Sequence, residues 1–390
     1  MNVLFITYDF PYPMTSGGKN RAYHLLKYTA KKANVFLYSF VREDYNPELN
    51  DEILKLGVKN IKVYKRKKLA SPLNIPSTII HNSSIFKTLY FEKAVIEELR
   101  DIIHNEKIDI VHYESTYTGY YIDALRTTRV KSVLGTENIE YLLYYDYAKY
   151  MKRFYLKPFV KQQAARLKEE ELLMAKRADS VTVITNDEAD LLEREIGIKS
   201  EIVANGIEPD NFTFSYDPKI KKNILFVGNF TYFPNVDAVN YFYSNVFKKL
   251  KKDLTFTIIG KQSGAKFKFE DEKVITKDFV EDIISEYRSA DILIFPIRIG
   301  GGTNFKVLEA MSLGLPIVAQ PERLSGLGAI AGEHFLKAGS PDEYIEQINL
   351  IYNDGTLRKR LAVNARALVE KSYKWEKIGN DLLNVWRKMI

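Results

Sequence analysis

The sequence predicts an α/β protein built from two doubly wound parallel sheets. Three observations carry this reading. Short, uniformly aliphatic runs such as Val3-Leu4-Phe5-Ile6 and Ala290–Pro296 alternate with helical stretches along the chain, which is the pattern of strands buried on both faces. Glycines follow several of these runs, at Gly17-Gly18, Gly228 and Gly300-Gly301-Gly302, where open α/β sheets place their ligands. Finally, 390 residues suit about two domains of ~100–200 residues each.

Composition narrows the class. An apolar content of 46 %, with 26 Tyr, 22 Phe and 2 Trp, supplies sizeable cores. The chain has no cysteine, so disulfides and thiolate metal sites are excluded and a reducing, cytoplasmic setting is expected. Met1 leads straight into a strand-like run, so neither a signal peptide nor a membrane span of ~20 apolar residues is expected. The net charge of +7, from 57 basic and 50 acidic residues, suits anionic small molecules or an anionic membrane face. By itself it is no nucleic-acid signature. No Asp-x-Asp stands at a strand end and no histidine pair has metal-ligand spacing, so neither a metal nor another cofactor is expected.

The first strand is Asn2–Thr7. It empties into YDFPYPMTSGGK, and a helix is expected over Lys19–Lys31. No GxGxxG is present, but Gly17 and Gly18 put bare backbone at a helix N-terminus beside Lys19 and Arg21. The alternative is a plain connecting loop. Further strands are expected at Val35–Phe40, Ile61–Tyr64, Ile108–Tyr113, Lys131–Leu134 and Ser180–Ile184. IDIVHYES ends in His112 and Glu114, which either face a ligand or belong to a hydrogen-bonded core. Glu137, Asn138 and Glu140 follow the next strand, where they either bind an acceptor's hydroxyls or cap a helix. Between Tyr141 and Lys168, aromatics interleave with Lys149, Lys152, Arg153, Lys157 and Lys161, and Lys65-Arg66-Lys67-Lys68 adds a second basic cluster. Such a segment either lies on an anionic bilayer as a peripheral contact or packs as a helix with a solvated basic face.

Thr213–Lys222, polar and proline-containing, reads as a linker. A second βα series follows, with strands in KNILFVGNF (Lys222–Phe230), Phe256–Gly260 (then Lys261), Val274–Thr276, Asp291–Phe295 and Ile317–Ala319. Between the last two, a helix beginning at Thr303 or Asn304 turns Val307, Leu308 and Met311 inward and stops at Gly314. The strand end, the loop Gly301-Gly302-Thr303-Asn304 and the helix N-terminus form an anion site. Lys306 and Glu309 share a helix face at i and i+3. They suit a phosphate and a hydroxyl-bearing sugar, or else form a surface ion pair. Ser340–Ile390 reads as helical.

GGGTNFKVLEAMSLGLPIV resembles the donor-site segment of GT-B fold glycosyltransferases, in particular the retaining family 4. Asn205-Gly206-Ile207-Glu208, Asn138-Ile139-Glu140 and the closing SYKW are similar to further landmarks of that family. The resemblance implies two Rossmann-like domains facing across a cleft. They comprise an acceptor domain over 1–210, a nucleotide-sugar domain over 211–372, and a helix over 373–390 that returns to the first. It implies that Glu309 binds the donor ribose and that Gly301–Asn304 hold the diphosphate or sugar, with Gly17 and Gly18 facing the diphosphate. The acceptor would be a glycan or a lipid-linked sugar, and anomeric configuration would be retained.

Three departures stand out. Gly301 occupies the place of an earlier glutamate in the family's E-x7-E. Glu114 replaces the second histidine of D-x-x-H-x-H, so only a position carries over, as a catalytic or positioning candidate beside His112. The loop from Gly228 to Asn235 lacks the Arg and Lys that clamp the donor pyrophosphate elsewhere. Either the helix dipole and N–H groups suffice there, or Lys261, Arg298 and Lys306 are the candidate substitute cations, Arg298 being otherwise an exposed loop residue. The rival readings are a nucleotide-sugar epimerase on the same fold and a non-catalytic binder of a glycan or lipid surface.

Overall fold

A computed structural model describes residues 1–67, 78, 83–151, 153–250, 253–299 and 305–390. The chain forms two compact units, Met1–Asn205 with Trp375–Ile390, and Gly206–Lys374.

The first unit carries β1 (Asn2–Thr7), β2 (Asn34–Val41), β3 (Asn60–Lys65), β4 (Ile110–Glu114), β5 (Lys131–Gly135), β6 (Ser180–Val183) and β7 (Glu201–Ile202). All pair parallel, in the order β3-β2-β1-β4-β5-β6-β7. The order reverses at β1, which lies between β2 and β4, and this makes a topological switch point. Thr7 stands level with Ser39 on one side and Glu114 on the other, so polar side chains lie side by side where β1 and β4 end. Val3 to Ile6 are fully buried, as helices on both faces of a sheet require.

The helix Gly17–Thr29 follows β1 and is started by Ser16, whose hydroxyl accepts from Lys19 N. The C-terminal helix Trp375–Arg387 packs against it within the same unit. Gly379 permits the approach, because a Cβ there would lie 2.4 Å from Tyr28 Cβ. Trp375 stacks on His24 at 4.8 Å and 4°, and Trp386 sets its edge against Phe5. The aromatic, basic segment after β5 is two helices, Glu140–Tyr150 and Lys157–Arg177. The tip between them exposes Phe154 and Tyr155 (76 % and 64 %) beside exposed Arg153. Lys68 and Lys152 lie outside the described residues. No helix among the described residues is long and apolar enough to cross a membrane.

The second unit carries β8 (Asn223–Val227), β9 (Thr255–Ile259), β10 (Val274–Lys277), β11 (Ile292–Phe295), β12 (Ile317–Ala319) and β13 (Leu336–Lys337). They are again parallel, in the order β10-β9-β8-β11-β12-β13. The switch point lies between β8 and β11, whose following loops diverge. The helix Phe305–Leu313 runs from β11 towards β12 and buries Val307, Leu308 and Met311. Gly314 ends it at φ +79°, and its missing Cβ leaves room for the Phe214 ring, 2.5 Å from where that atom would be. Helices Pro341–Asn353 and Gly355–Ser372 complete the unit, the first started by a capping box of Ser340 and Glu343. Both units are thus of the expected α/β, doubly wound class.

Candidate functional site

In the second unit, the residues that meet at the switch point come from four elements. The loop leaving β8 braces itself: Asn229 Oδ1 accepts from Thr231 N and Oγ1, and Asn235 Nδ2 donates to Asn229 O at 2.9 Å. Gly228 is needed here, since a Cβ would lie 2.9 Å from Asn235 Cγ and 3.1 Å from the Phe226 ring. Gly260, at the end of β9, adopts φ +137° and brings its backbone against Gly228 O.

From the helix after β11, Lys306 Nζ donates to Asn235 Oδ1 at 2.8 Å and lies over the Phe226 and Phe295 rings at 4.6 and 5.6 Å. One turn on, Glu309 accepts a 2.6 Å hydrogen bond from the buried Tyr287 hydroxyl. Burial pushes the Lys306 ammonium down to about 7, against the pull of Glu309. Burial likewise raises the Glu309 carboxyl, opposed by the Tyr287 hydrogen bond and Lys306. The sequence reading thus placed Lys306 and Glu309 correctly on one face, but neither is a solvated surface group.

The other cation candidates are placed differently. Arg298 makes a bidentate pair with Asp237 at 2.7 and 3.0 Å and lies over the Tyr241 ring at 4.4 Å. Lys261 is exposed, and its carbonyl accepts from Phe230 N. Gly301, Gly302, Thr303 and Asn304 lie outside the described residues. The sequence reading missed Asn235, Tyr287 and Asp237. The Pro234-Asn235 step was the available signal for the first. Nothing local marked the others.

In the first unit, His112 and Glu114 alternate onto one face of β4 and are 0 % and 1 % exposed. Arg21 Nε donates to Glu114 Oε1 at 2.6 Å, and His112 Nε2 lies 2.7 Å from Oε2. Trp386 Nε1 donates to His112 Nδ1 at 3.3 Å, so in the neutral ring Nε2 carries the proton given to Glu114. Arg21 Nη1 reaches Val203 O, Ala204 O and Asn205 Oδ1. Burial alone would raise the Glu114 carboxyl, but Arg21 and His112 bring it down to about 2. This carboxylate is committed to internal partners and ties β4 to the first helix and to the end of the unit. Both carboxylate oxygens of Glu114 and both ring nitrogens of His112 are thus engaged by partners within the unit.

Gly17 opens the first helix and is exposed, while Gly18 lets that turn close on Tyr8 and Glu137. A Cβ at Gly18 would lie 2.1 Å from Tyr8 Oη and 2.6 Å from Glu137 Oε2. Burial, reinforced by the charge of Glu114, pushes Glu137 up to about 8. Its Oε1, like Arg21 Nη2, is buried with no hydrogen-bond partner among the described residues. Glu140 accepts from Tyr117 Oη at 2.8 Å and from Asn138, and burial holds it at about 7. Glu171, from the helix Lys157–Arg177, accepts from the N–H groups of Glu140 and Tyr141 and so caps the helix Glu140–Tyr150. Of the three expected acceptor residues, Glu137 keeps a buried oxygen without a partner among the described residues.

Comparison with known proteins bears on both units. The profile described as Glycosyltransferase Family 4 matches residues 15–211, and that described as Glycosyl transferases group 1 matches residues 221–354. A protein of Methanocaldococcus jannaschii described as an uncharacterized glycosyltransferase is 24 % identical over 237 residues, 56 % of this chain and 60 % of that protein. A 44.6 kDa protein of Klebsiella pneumoniae, described as uncharacterized and in a cps region, is 24 % identical across 97 % of this chain and 98 % of its own length. Among solved structures, Anabaena HepE in complex with UDP superimposes with a TM-score of 0.70 at 12 % identity, over 100 % of both chains.

Proposed function

The chain belongs to glycosyltransferase family 4, and from that membership we propose that it moves a sugar from a nucleotide-sugar donor to a glycan or lipid-linked acceptor. The observation that carries this is the placement of Glu309 and Lys306 at the switch point of the second sheet, on the helix after β11. A largely buried carboxylate there suits the vicinal hydroxyls of a ribose. A largely buried amine one turn earlier suits the diphosphate. Uridine is the base to test first, because the Anabaena HepE structure holds UDP, and a further structure of the same protein holds UDP-glucose.

In this reading the transfer retains anomeric configuration and uses no protein-bound metal. The departing diphosphate is stabilised by fixed dipoles and a cation, and the donor phosphate assists removal of the acceptor proton. The commitment of Glu114 to Arg21 and His112 supports a mechanism without a side-chain nucleophile on β4. The acceptor belongs with the first unit, a placement supported by Glu137 Oε1, a buried oxygen without a hydrogen-bond partner among the described residues. The work is cytoplasmic, in polysaccharide or cell-surface glycan synthesis, with the Phe154-Tyr155 tip resting on an anionic membrane face.

A thermal-shift screen of UDP-, GDP- and ADP-sugars on the full chain tests the donor. A ligand at 100 times its Kd adds about 2.7 kcal/mol of stability. A UDP-sugar is expected to raise Tm by several degrees. No shift with any nucleotide-sugar would overturn the reading.

A further inference from the structure

The loop between Gly228 and Asn235 carries no cation, yet the charge of a departing diphosphate must be stabilised by fixed dipoles, a cation or both. The second unit offers Arg298, Lys261 and Lys306. Arg298 has its Nε and Nη2 edge paired with Asp237 and its face on Tyr241, so its charge is already matched by a carboxylate. Lys261 is exposed. Lys306 is the one held in place beside Glu309, and what holds it is a neutral group, the Asn235 amide oxygen. Asn235 is fixed in turn by Asn229 O and by the room Gly228 leaves.

We propose that Lys306, aimed by Asn235, is the cation that meets the donor diphosphate, and that it takes up a proton from solvent as the nucleotide binds. The inference rests on the family 4 donor reading and specifies its chemistry. Among the described residues, the charged and titratable groups around the amine are few. Glu309 lies on its own helix, with its carboxyl bonded by Tyr287 from the helix Ile283–Arg288. Asp237, on the helix of Asn235, is spent on Arg298. Among the described residues, β8 and β11 set the rings of Phe226 and Phe295 against the amine. The amide oxygen, the ring faces and Glu309 favour the charged amine only in part, and burial outweighs them and brings it down to about 7. A diphosphate arriving within hydrogen-bond reach supplies the missing opposite charge and raises it again. The proton moves from buffer to Nζ, and no bond is broken in the protein.

The sign and the window follow. Uptake requires Lys306 to be neutral before binding and charged after it, so it is greatest about one pH unit above 7. There a terminal phosphate, with its second ionisation near 6, is already fully ionised and contributes no proton exchange. Glu309 would act in the opposite sense, releasing a proton if the ribose favours its ionised form.

Calorimetric titration of the full chain with UDP at pH 8, in buffers of different ionisation enthalpy such as Tris and HEPES, reads the proton directly. The wild type is expected to take up a substantial fraction of one proton per UDP. Lys306→Met is expected to lose uptake and at least about ten-fold in affinity, or about 1.4 kcal/mol. Asn235→Asp, which sets a carboxylate against the amine, holds Lys306 charged beforehand. It is expected to abolish uptake while the fold persists, as judged by Tm. Buffer-independent heats in the wild type, or undiminished uptake in Lys306→Met, would overturn the inference and leave the donor reading standing. Absence of binding by UDP, GDP and ADP alike would overturn both.

Discussion

Two glutamates of the first unit show how environment divides one residue type between roles. Glu114, clasped by Arg21 and His112, is held at about 2 despite its burial, whereas Glu137 is pushed up to about 8 by burial and by the charge of Glu114. Their effects on stability oppose each other. The contribution of Glu114 is present above the ordinary carboxyl value near 4.3 and is lost as pH falls through about 2. Glu137 favours the fold below that ordinary value, and its contribution is lost as pH rises through about 8, because the folded state must then ionise a buried carboxyl. Tm is therefore expected to fall between pH 6 and pH 9, with a shallower decline in Glu137→Gln, since Oε1 has no partner to lose. Differential scanning calorimetry at those two pH values checks this. An unchanged slope in the variant would remove Glu137 as a cause. In the sequence, His112 and Glu114 were legible as a polar pair at a strand end, but the partner that commits Glu114 is 93 residues away, and spacing along a strand carries no information about it.

At the scale of elements, the sequence was most informative where the chain is buried on both faces. The run Asn2–Thr7 is read to the residue, and the other long strands to within a few residues, because aliphatic runs flanked by turn residues have few other solutions. The two-residue strands β7 and β13 escaped, being too short for any period. The helix Glu140–Tyr150 is capped by Glu171 from its neighbour, so the N-terminal signal lay outside the segment itself. The basic aromatic stretch after β5 divides into the helices Glu140–Tyr150 and Lys157–Arg177, and Phe154 and Tyr155 stand exposed between them. Arg153 and Lys161 are exposed on the same segment. Aromatic rings with basic neighbours match the headgroup zone of an anionic bilayer. Sedimentation with phosphatidylglycerol vesicles at low salt is expected to bring down the wild type and to lose most of Phe154→Ser/Tyr155→Ser. Equal sedimentation of both proteins would exclude the tip.

For the molecule as a whole, two sheets with the same strand logic place polar residues at two switch points, and the family relation extends across both units. The proposed donor side was the more legible, because Lys306 and Glu309 lie in one continuous motif. Their setting was not legible, since Asn235 and Tyr287 come from other elements. The central claim is that Glu309 grips the nucleotide. Calorimetric titration of UDP into the wild type, Glu309→Gln and Glu309→Ala, each with Tm in hand, tests it most directly. A hydrogen bond to a charged group contributes about 1.5–3 kcal/mol, so the account predicts affinity lower by about ten-fold or more in both variants while they remain folded. Folded variants that bind UDP as tightly as the wild type would contradict it.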